Sequence, residues 1–326
     1  MLRIALVGDC MLGRGLNNVL RRDGPQSPWG DDLLPTMRAA SVLAGNLETS
    51  ITARGVPFPH KAFRFRLDPS LSDTLALAGF DFLNLANNHA LDYGVQGLVD
   101  TRDELKRLGI AHAGAGLDLS EASEADYLDV PSGSEWIRVG FLGAADHPAE
   151  WRAGPQLPGT FFVDVERGEW SALLEAVRRT RARCDVLVVY LHVGRNYVSG
   201  FRPYDTVLRL GRELVDAGAD VVANSSAHHV LPFERHGDGL VLHGLGDFVD
   251  DYAVDPAYRN DLGVLALVDL QVSPRSATRR RVRARHLELV PTKIVDMRVR
   301  RAVGDDALWV LDRVVSLPPH DGVSFG

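Results

Sequence analysis

Residues 82–94 read FLNLANNHALDYG, an apolar run that ends in two asparagines and a histidine. The apolar run begins at residue 80, and a helix-forming segment starts near residue 95. Open α/β sheets place their binding sites at the C-terminal ends of buried strands, which is where Asn88 and His89 fall. The stretch therefore predicts an α/β fold with a functional site at the strand ends.

Three other apolar strands end on a ligand-type side chain in the same way. IALVGD ends at Asp9, VLAGNLE at Glu48 and VLVVYLH at His192. Taken singly, a helix-capping aspartate, an arginine salt bridge or a satisfied core histidine would explain each of them. Four such strand ends together predict one convergent site.

Two further segments contribute candidate histidines. In SSAHHV (225–230) the adjacent histidines point in different directions, so we expect His228 to face the site. His229 is then expected to pack or to contact substrate. In HGLGDF (243–248), His243 or Asp247 is a candidate partner for His228, although a solvated loop with a capping aspartate explains this pair equally well.

Nearby carboxylates complete the candidate set. Asp92 lies three residues after His89, near enough to orient its imidazole through the second ring nitrogen. Asp250 and Asp251 are predicted to lie in a solvated turn. Because the donors are carboxylates, one amide oxygen and imidazoles, hard or borderline divalent ions (Mn, Mg, Ca, Fe) are favoured over a thiolate zinc site.

Composition excludes several classes of protein. The 326 residues carry 45% apolar and 24% charged residues and a net charge of −7, which gives no support for a nucleic-acid partner. Cys10 and Cys184 are too few for a disulfide framework and are expected to be inert core thiols. No apolar run reaches about 18 residues and the N-terminus shows no signal sequence, so we expect a cytoplasmic protein without membrane contact.

Alternating apolar and amphipathic segments favour βα units with largely parallel strands. The expected strands are residues 3–8, 41–47, 80–86, 136–143, 184–192 and 220–224, and the expected helices are 69–78, 95–108, 168–181, 204–217 and 305–317. The last third instead predicts antiparallel hairpins at 233–247 and at 263–272 with 281–290. Two sheets packed face to face with helices outside fit this order best.

The motifs GDCMLGR, GNLET, LANNHALDYG, LHVGRN, AHH and GDFVDDY occur in the order typical of CapA proteins, the poly-γ-glutamate capsule type. The resemblance runs from residue 2 to about residue 261. It implies one α/β domain over residues 1–326, a four-layer αββα sandwich of the calcineurin-like metallophosphatase type. By position, the residues that resemble that family's metal site are Asp9, Glu48, Asn88, His192 and His228. His89 resembles the histidine near the leaving or attacking group.

The chain also departs from the family pattern. Met11 stands where two-metal phosphoesterases of this fold usually have histidine, and Ser225 stands where close relatives have an imidazole ligand. Val193 replaces a common tryptophan. Losing two imidazoles weakens a two-metal clamp, so we expect one divalent ion, with Ca, Mn or Mg favoured over Zn.

Three functions follow from this pattern. The first is a metal-dependent epimerase acting on a ribosomal, lasso-type precursor peptide, because some cytoplasmic relatives resemble such enzymes. Two-base chemistry at a Cα needs two proton carriers, which His89 with Asp9 and Asp92, and His228 or His243 with Asp247, would provide. Arg195 would hold a terminal carboxylate, unless it is simply a surface arginine. The alternatives are a metal-dependent hydrolase of phosphoesters or amides, and an accessory protein of poly-γ-glutamate synthesis or export.

Overall fold

The computed structural model describes residues 1–133, 135–274 and 280–314. The strands in these ranges are β1 Leu2–Cys10, β2 Val42–Leu47, β3 Ser50–Ile51, β4 Arg66–Leu67, β5 Phe82–Asn84, β6 Ala111–Ala113, β7 Ala115–Gly116, β8 Asp126–Ser132, β9 Glu135–Ala145, β10 Gly159–Thr160, β11 Val186–His192, β12 Val221–Ser225, β13 Val230–His236, β14 Gly239–Leu245, β15 Asp247–Val249, β16 Leu262–Val272, β17 Val282–Val295 and β18 Arg298–Arg301. The α-helices are α1 Gly15–Asp23, α2 Leu34–Arg38, α3 Asp73–Ala78, α4 Gly94–Leu108, α5 Leu119–Ala122, α6 Ser171–Arg181, α7 Asp205–Ala217 and α8 Gly304–Val314. Short 3-10 helices span Pro69–Leu71, Ala149–Trp151 and Ser199–Phe201.

Two mixed sheets carry most of these strands. The first has the order β18-β17-β16-β1-β2-β5-β6, and β15 also pairs in parallel with β1. The second has the order β13-β14-β12-β11-β9-β8. In both sheets the inner βα strands are parallel, whereas the predicted hairpins β13–β14 and β16–β17 are antiparallel. The mixed α/β class and both hairpins are therefore confirmed.

Large side chains join the two sheets. The ring of Phe82 on β5 stacks on Phe141 of β9 with centroids 4.2 Å apart. The Tyr190 hydroxyl on β11 donates to the carbonyl oxygens of Val7 and Ala44 on β1 and β2, at 2.6 and 3.0 Å. These contacts fix the C-terminal ends of β1, β2 and β11 next to one another.

Helices cover the other faces through their apolar sides. α1 to α4 pack on the first sheet through a cluster that includes Leu16, Leu83 and Leu98, and α6 and α7 pack on the second through Leu173 and Leu210. α4 ends at Gly109, whose φ of 73° is in the left-handed region that glycine adopts without strain. Cys10 is a buried free thiol and Cys184 a partly buried one.

Some predicted bounds were wrong. The strand expected at 80–86 is only Phe82–Asn84, because the Asn84 side chain bonds both the Ala86 amide and its carbonyl and turns the chain off the sheet. The helix expected at 69–78 is a 3-10 turn followed by α3. The end of the helix expected at 305–317, and residues 275–279 between the last long strands, lie outside the described residues. No helix in the described part of the chain is long and apolar enough to cross a membrane.

Candidate metal centre

The C-terminal ends of the central strands converge on Asp9. In the first sheet, Asp9 on β1 pairs in register with Asn46 of β2 on one side and with Asp247 of β15 on the other. In the second sheet, His192 at the end of β11 pairs with Ser225 of β12. The face-to-face packing of the sheets brings these two edges together.

Two ligand clusters share Asp9. In the first cluster, candidate ligand atoms of Asp9, Glu48 and His192 all lie within 4.8 Å of one another. The second cluster, under the same limit, contains Asp9, His228 and Asp247. Asp9 therefore lies between two positions, each with two carboxylates and one imidazole.

Amide and hydroxyl groups hold the first cluster. The Asn46 amide donates to Asp9 Oδ1 at 2.7 Å, and its nitrogen lies 3.2 Å from His192 Nδ1. Ser225 Oγ lies 3.1 Å from the same ring nitrogen, so the serine that replaces an expected imidazole still stands at the site. His192 Nε2 is 3.8 Å from Glu48 Oε1.

A strained loop brings in the second cluster. His228 has a φ of 59° and Ser226 a φ of 90°, both in the left-handed region that non-glycine residues rarely adopt. This backbone lets the Ser226 amide donate to Asp9 Oδ2 at 3.2 Å and sets His228 Nδ1 2.8 Å from Asp247 Oδ1.

The site contains buried oxygen atoms that lack partners. Within the described residues, no hydrogen bond reaches Glu48 Oε1 and Oε2, Asn88 Oδ1 or Asp247 Oδ2. Buried polar atoms are almost always hydrogen-bonded, and a buried carboxylate left alone is costly. Divalent cations at the two clusters would satisfy the oxygens of Glu48 and Asp247, so the donor set fits bound metal.

Electrostatics lead to the same conclusion. Burial and the charges of Asp9 and Asp247 hold the pKa of Glu48 well above its ordinary value. Burial and Asp9 likewise raise the pKa of Asp247. Burial alone would raise the pKa of Asp9, but His192 and His228 bring it far below the ordinary range. The site therefore has more negative charge than its own side chains can neutralise.

His89 stands beside the first cluster as a neutral imidazole. Its Nδ1 lies 2.5 Å from Asp92 Oδ2 and its Nε2 lies 3.7 Å from Glu48 Oε1. Burial lowers the pKa of His89 to about 4 despite the contact with Asp92. The tautomer that donates from Nδ1 to Asp92 leaves the lone pair at Nε2, on the side of Glu48, and Lys61 Nζ also lies 3.1 Å from Nδ1.

The structure brings neither His229, a predicted substrate contact, nor His243, a predicted partner of His228 and also a candidate substrate contact, to this site. Both ring nitrogens of His229 lie against the backbone, Nε2 accepting from the Val198 amide at 2.9 Å and Nδ1 lying 3.0 Å from the Val230 carbonyl oxygen. His243 points from β14 toward α7 and pairs with Glu234 at 3.1 Å, so it cannot assist Asp247.

Arg195 is a surface residue, which was the alternative to a role in binding a terminal carboxylate. Its side chain is 72% exposed and pairs with Glu166 at 2.8 Å. It lines a cavity of about 610 Å³ together with His147, whose ring lies 5.3 Å from that of His192. This cavity lies next to the ligand clusters, but the Arg195 side chain pairs with Glu166, which also lines the cavity.

The structure adds residues that the sequence did not single out. Asn87, rather than Asn88, makes the structural bonds of this turn, donating to Asn46 Oδ1 and the Leu47 carbonyl. Lys61 donates to Asp92 and to the Asn88 carbonyl. Lys61 is one of only three lysines in the chain, and this rarity was the one feature of the sequence that could have pointed to it.

The solvated turn predicted at Asp250 and Asp251 is wrong. Asp250 is 3% exposed and its Oδ2 has no partner among the described residues, and the Asp251 side chain is 8% exposed. β15 pairs with β1 through Asp247 and Val249, and this pairing places the following residues, Asp250 and Asp251, next to the second ligand cluster.

Known proteins place this chain among capsule synthesis proteins. A family model described as "Bacterial capsule synthesis protein PGA_cap" matches residues 3–252. A "Probable polyglutamine synthesis accessory protein" of Mycobacterium tuberculosis is 29% identical, over 98% of this chain and 92% of that protein. The "PGA biosynthesis protein CapA" of Bacillus subtilis is 30% identical over 77% of this chain and 64% of its own length. A hypothetical protein from Thermus thermophilus aligns over 93% of this chain and 100% of its own with 12% identity and a TM-score of 0.45, too low to identify a fold. The family match and the level of identity show that the chain belongs to the PGA_cap (CapA) family of bacterial capsule synthesis proteins.

Proposed function

We propose that this protein is a metal-dependent hydrolase of amide bonds in a polyglutamate-type chain, acting as an accessory enzyme of polymer synthesis. The observation that carries the proposal is the set of unpaired, buried oxygens of Glu48 and Asp247 on either side of Asp9. Two buried carboxylates with unpartnered oxygens, both next to a third carboxylate, are costly unless a cation lies between them. The names of the relatives supply the substrate class, since they refer to polyglutamine and PGA synthesis.

The ligand set supports two metal positions, whereas the sequence predicted one ion. Asp9 and Glu48 with His192 would hold an ion at the first position, and Asp9 with His228 and Asp247 would hold one at the second. A bound divalent ion would supply positive charge that polarises a substrate carbonyl. We also infer the four-layer αββα order of a metallophosphatase-like fold from the helices that cover both outer sheet faces.

His89 is the candidate proton carrier of this reaction. Its Nδ1 is held by Asp92, and its neutral Nε2 faces Glu48. Such an imidazole can accept a proton at Nε2 while the carboxylate behind it stabilises the resulting charge. In hydrolysis the proton would then pass to the leaving amine.

The epimerase interpretation stays a prediction, with less support. The relatives' names refer to polyglutamine and PGA synthesis. His243 lies outside the site, so His228 is the one remaining candidate among the two histidines predicted as the second proton carrier. His89 and His228 do stand at different ligand clusters, so the test must separate cleavage from Cα exchange.

The test uses the full chain loaded separately with Mn, Mg or Ca and incubated in deuterated water. Substrates are γ-linked and α-linked glutamate oligomers, a lasso-type precursor peptide and a generic phosphomonoester, and products are followed by mass spectrometry. We expect cleavage of a glutamate oligomer with the incorporation of one solvent water. Deuterium at a Cα without cleavage would overturn the proposal in favour of epimerisation, and phosphate release alone would favour a phosphoesterase.

Two buried histidines provide a matched pair of variants. His89→Gln removes the candidate proton carrier, and His243→Gln removes a histidine that pairs with a carboxylate outside the site. We expect cleavage to be lost in the first variant and kept in the second. Equal activity in both variants would remove His89 from the mechanism.

A further inference from the structure

Arg14 closes the GDCMLGR motif five residues after Asp9, and its guanidinium is held at an aromatic cage. Its Cζ lies 5.3 Å from the ring centroid of Phe63, 5.1 Å from that of Phe65 and 5.8 Å from that of Tyr252. Aromatic faces attract a guanidinium and fix its plane without using its N–H donors. The cage therefore positions the group while leaving those donors free.

The same rings connect Arg14 to both ends of the candidate metal centre. The ring of Phe65 lies 4.7 Å from that of His89, and the ring of Tyr252 lies 5.6 Å from that of His228. Phe63 is 52% exposed, which marks the solvent side of the cage. The rings of Phe65 and Tyr252 thus lie near Arg14 and also near His89 and His228.

Asp251 fixes the base of this side chain. Its Oδ2 accepts from the Gly15 amide at 3.0 Å and lies 3.3 Å from Arg14 Nε. Among the described residues no hydrogen bond is made by the Nη atoms of Arg14, whose side chain is 33% exposed. An arginine anchored at Nε keeps its outer donors for an approaching acceptor, and a carboxylate is the acceptor that matches them.

The backbone at Arg14 is strained to reach this position. Its φ of 45° with ψ of −118° lies outside the regions that non-glycine residues normally occupy. Strain of this kind persists where the surroundings hold it, commonly at ligand-binding sites. Helix α1 begins at the next residue.

We propose that Arg14 binds a carboxylate of the substrate chain at the entrance to the metal centre, an inference that rests on the proposed action on a polyglutamate-type chain. The protein carries a net charge of −7, which repels a polyanion as a whole. A caged guanidinium beside the site provides the local positive charge that such a substrate needs.

The experiment measures binding to the metal-loaded full chain by calorimetry. The proteins are wild type, Arg14→Lys, Arg14→Gln and the matched surface control Arg195→Gln, and the melting temperature of each checks folding. The ligands are a γ-linked glutamate oligomer, the same oligomer with its carboxylates converted to amides, and glutarate.

We expect Arg14→Gln to weaken binding of the acidic oligomer by about tenfold or more, the size of a lost charge-assisted hydrogen bond. Arg14→Lys keeps the charge but not the planar pair of donors, so its affinity should fall between the two. Arg195→Gln should bind as wild type does, and the amidated oligomer should not distinguish wild type from Arg14→Gln.

Each result separates this inference from the proposed function. If folded Arg14→Gln binds the acidic oligomer as tightly as wild type does, the role of Arg14 is overturned and the function stands. If wild type binds glutarate through Arg14 but no glutamate oligomer, the role stands and the substrate class is wrong. If wild type binds none of these ligands, both proposals are overturned.

Discussion

Replacing Glu48 with glutamine should stabilise the metal-free protein and remove most of the stability that a bound metal ion adds. Glu48 is fully buried, and neither of its carboxylate oxygens has a hydrogen-bond partner in the described chain. Its neighbours include Asp9 and Asp247, whose charges help to hold its pKa well above the ordinary value. Glutamine has almost the same shape but no charge, and its amide can donate to Asp9.

The size of both effects can be worked from this geometry. An unsatisfied buried acceptor costs about 1–3 kcal/mol. An unfolding entropy of about 2.1 cal/mol/K per residue gives roughly 0.7 kcal/mol/K for 326 residues. Glu48→Gln should therefore raise the melting temperature of the metal-free protein by about 1.5–4 °C. A divalent ion at a hundred times its Kd adds about 2.7 kcal/mol, or about 4 °C, to wild type, and the variant should lose most of this gain.

The assay is thermal unfolding of chelator-treated protein with and without added Mn, alongside metal content measured after dialysis. Glu234→Gln is the matched control. That carboxylate is 10% exposed and accepts from Arg212 at 2.8 Å, and His243 and Arg212 outweigh burial and lower its pKa to about 2. The control should lower the melting temperature and leave the metal increment unchanged. A drop for metal-free Glu48→Gln, or an intact metal increment, would refute the reasoning.

Three more predictions concern the same centre. His89→Ala should abolish turnover while metal content stays near that of wild type, and loss of metal would instead make His89 a ligand. In metal-free protein the raised pKa values of Glu48 and Asp247 make the folded state hold protons that the unfolded chain has released, so stability falls as pH rises. The site histidines have lowered pKa values in the folded protein, so below their ordinary pKa of 6.5 the unfolded chain binds more protons at these residues than the folded protein does. Their contribution to stability therefore rises with pH, but only up to about pH 6.5. The melting temperature should therefore fall as the pH rises above 6.5 unless metal is present, and a flat profile in chelator would count against the buried charges. Ser225→His places an imidazole beside His192, and we expect tighter Mn binding in calorimetry; unchanged affinity would mean that residue 225 does not face the ion.

The position of the site could be predicted because it depends on one local pattern. Asp9, Glu48 and His192 each end a continuous apolar run, and strands buried on both faces must run through the core and finish at its edge. Parallel neighbours finish at the same edge, so their last residues meet. The helices likewise followed from apolar spacing and from stop signals such as Gly109.

The direction of individual side chains could not be predicted in the same way. His243 and Asp247 are only four residues apart, yet they lie on different strands. His243 on β14 points toward α7, whereas Asp247 on β15 pairs with Asp9. Gly246 lies between the two strands with a φ of 74°, which breaks the alternation of side chains. Asp250 looked like a turn residue since its burial depends on β15 pairing with β1, more than two hundred positions away in sequence. Lys61 reaches Asp92 from a loop without regular periodicity. For Asp250 and Lys61 a long-range contact decided the outcome, and for His243 and Asp247 a change of backbone direction at one glycine decided it.

The replacements at Met11 and Ser225 have a different meaning once the geometry is known. From sequence, two missing imidazoles argued for a weakened clamp and a single ion. The structure shows a carboxylate, Asp247, paired in register with Asp9 and held 2.8 Å from His228. At the proposed second metal position Asp247 would supply a further carboxylate, which would make the centre richer in oxygen and more negative. A centre of that kind should prefer Mn, Mg or Ca to Zn at both positions, because hard ions gain most from oxygen donors and anionic charge.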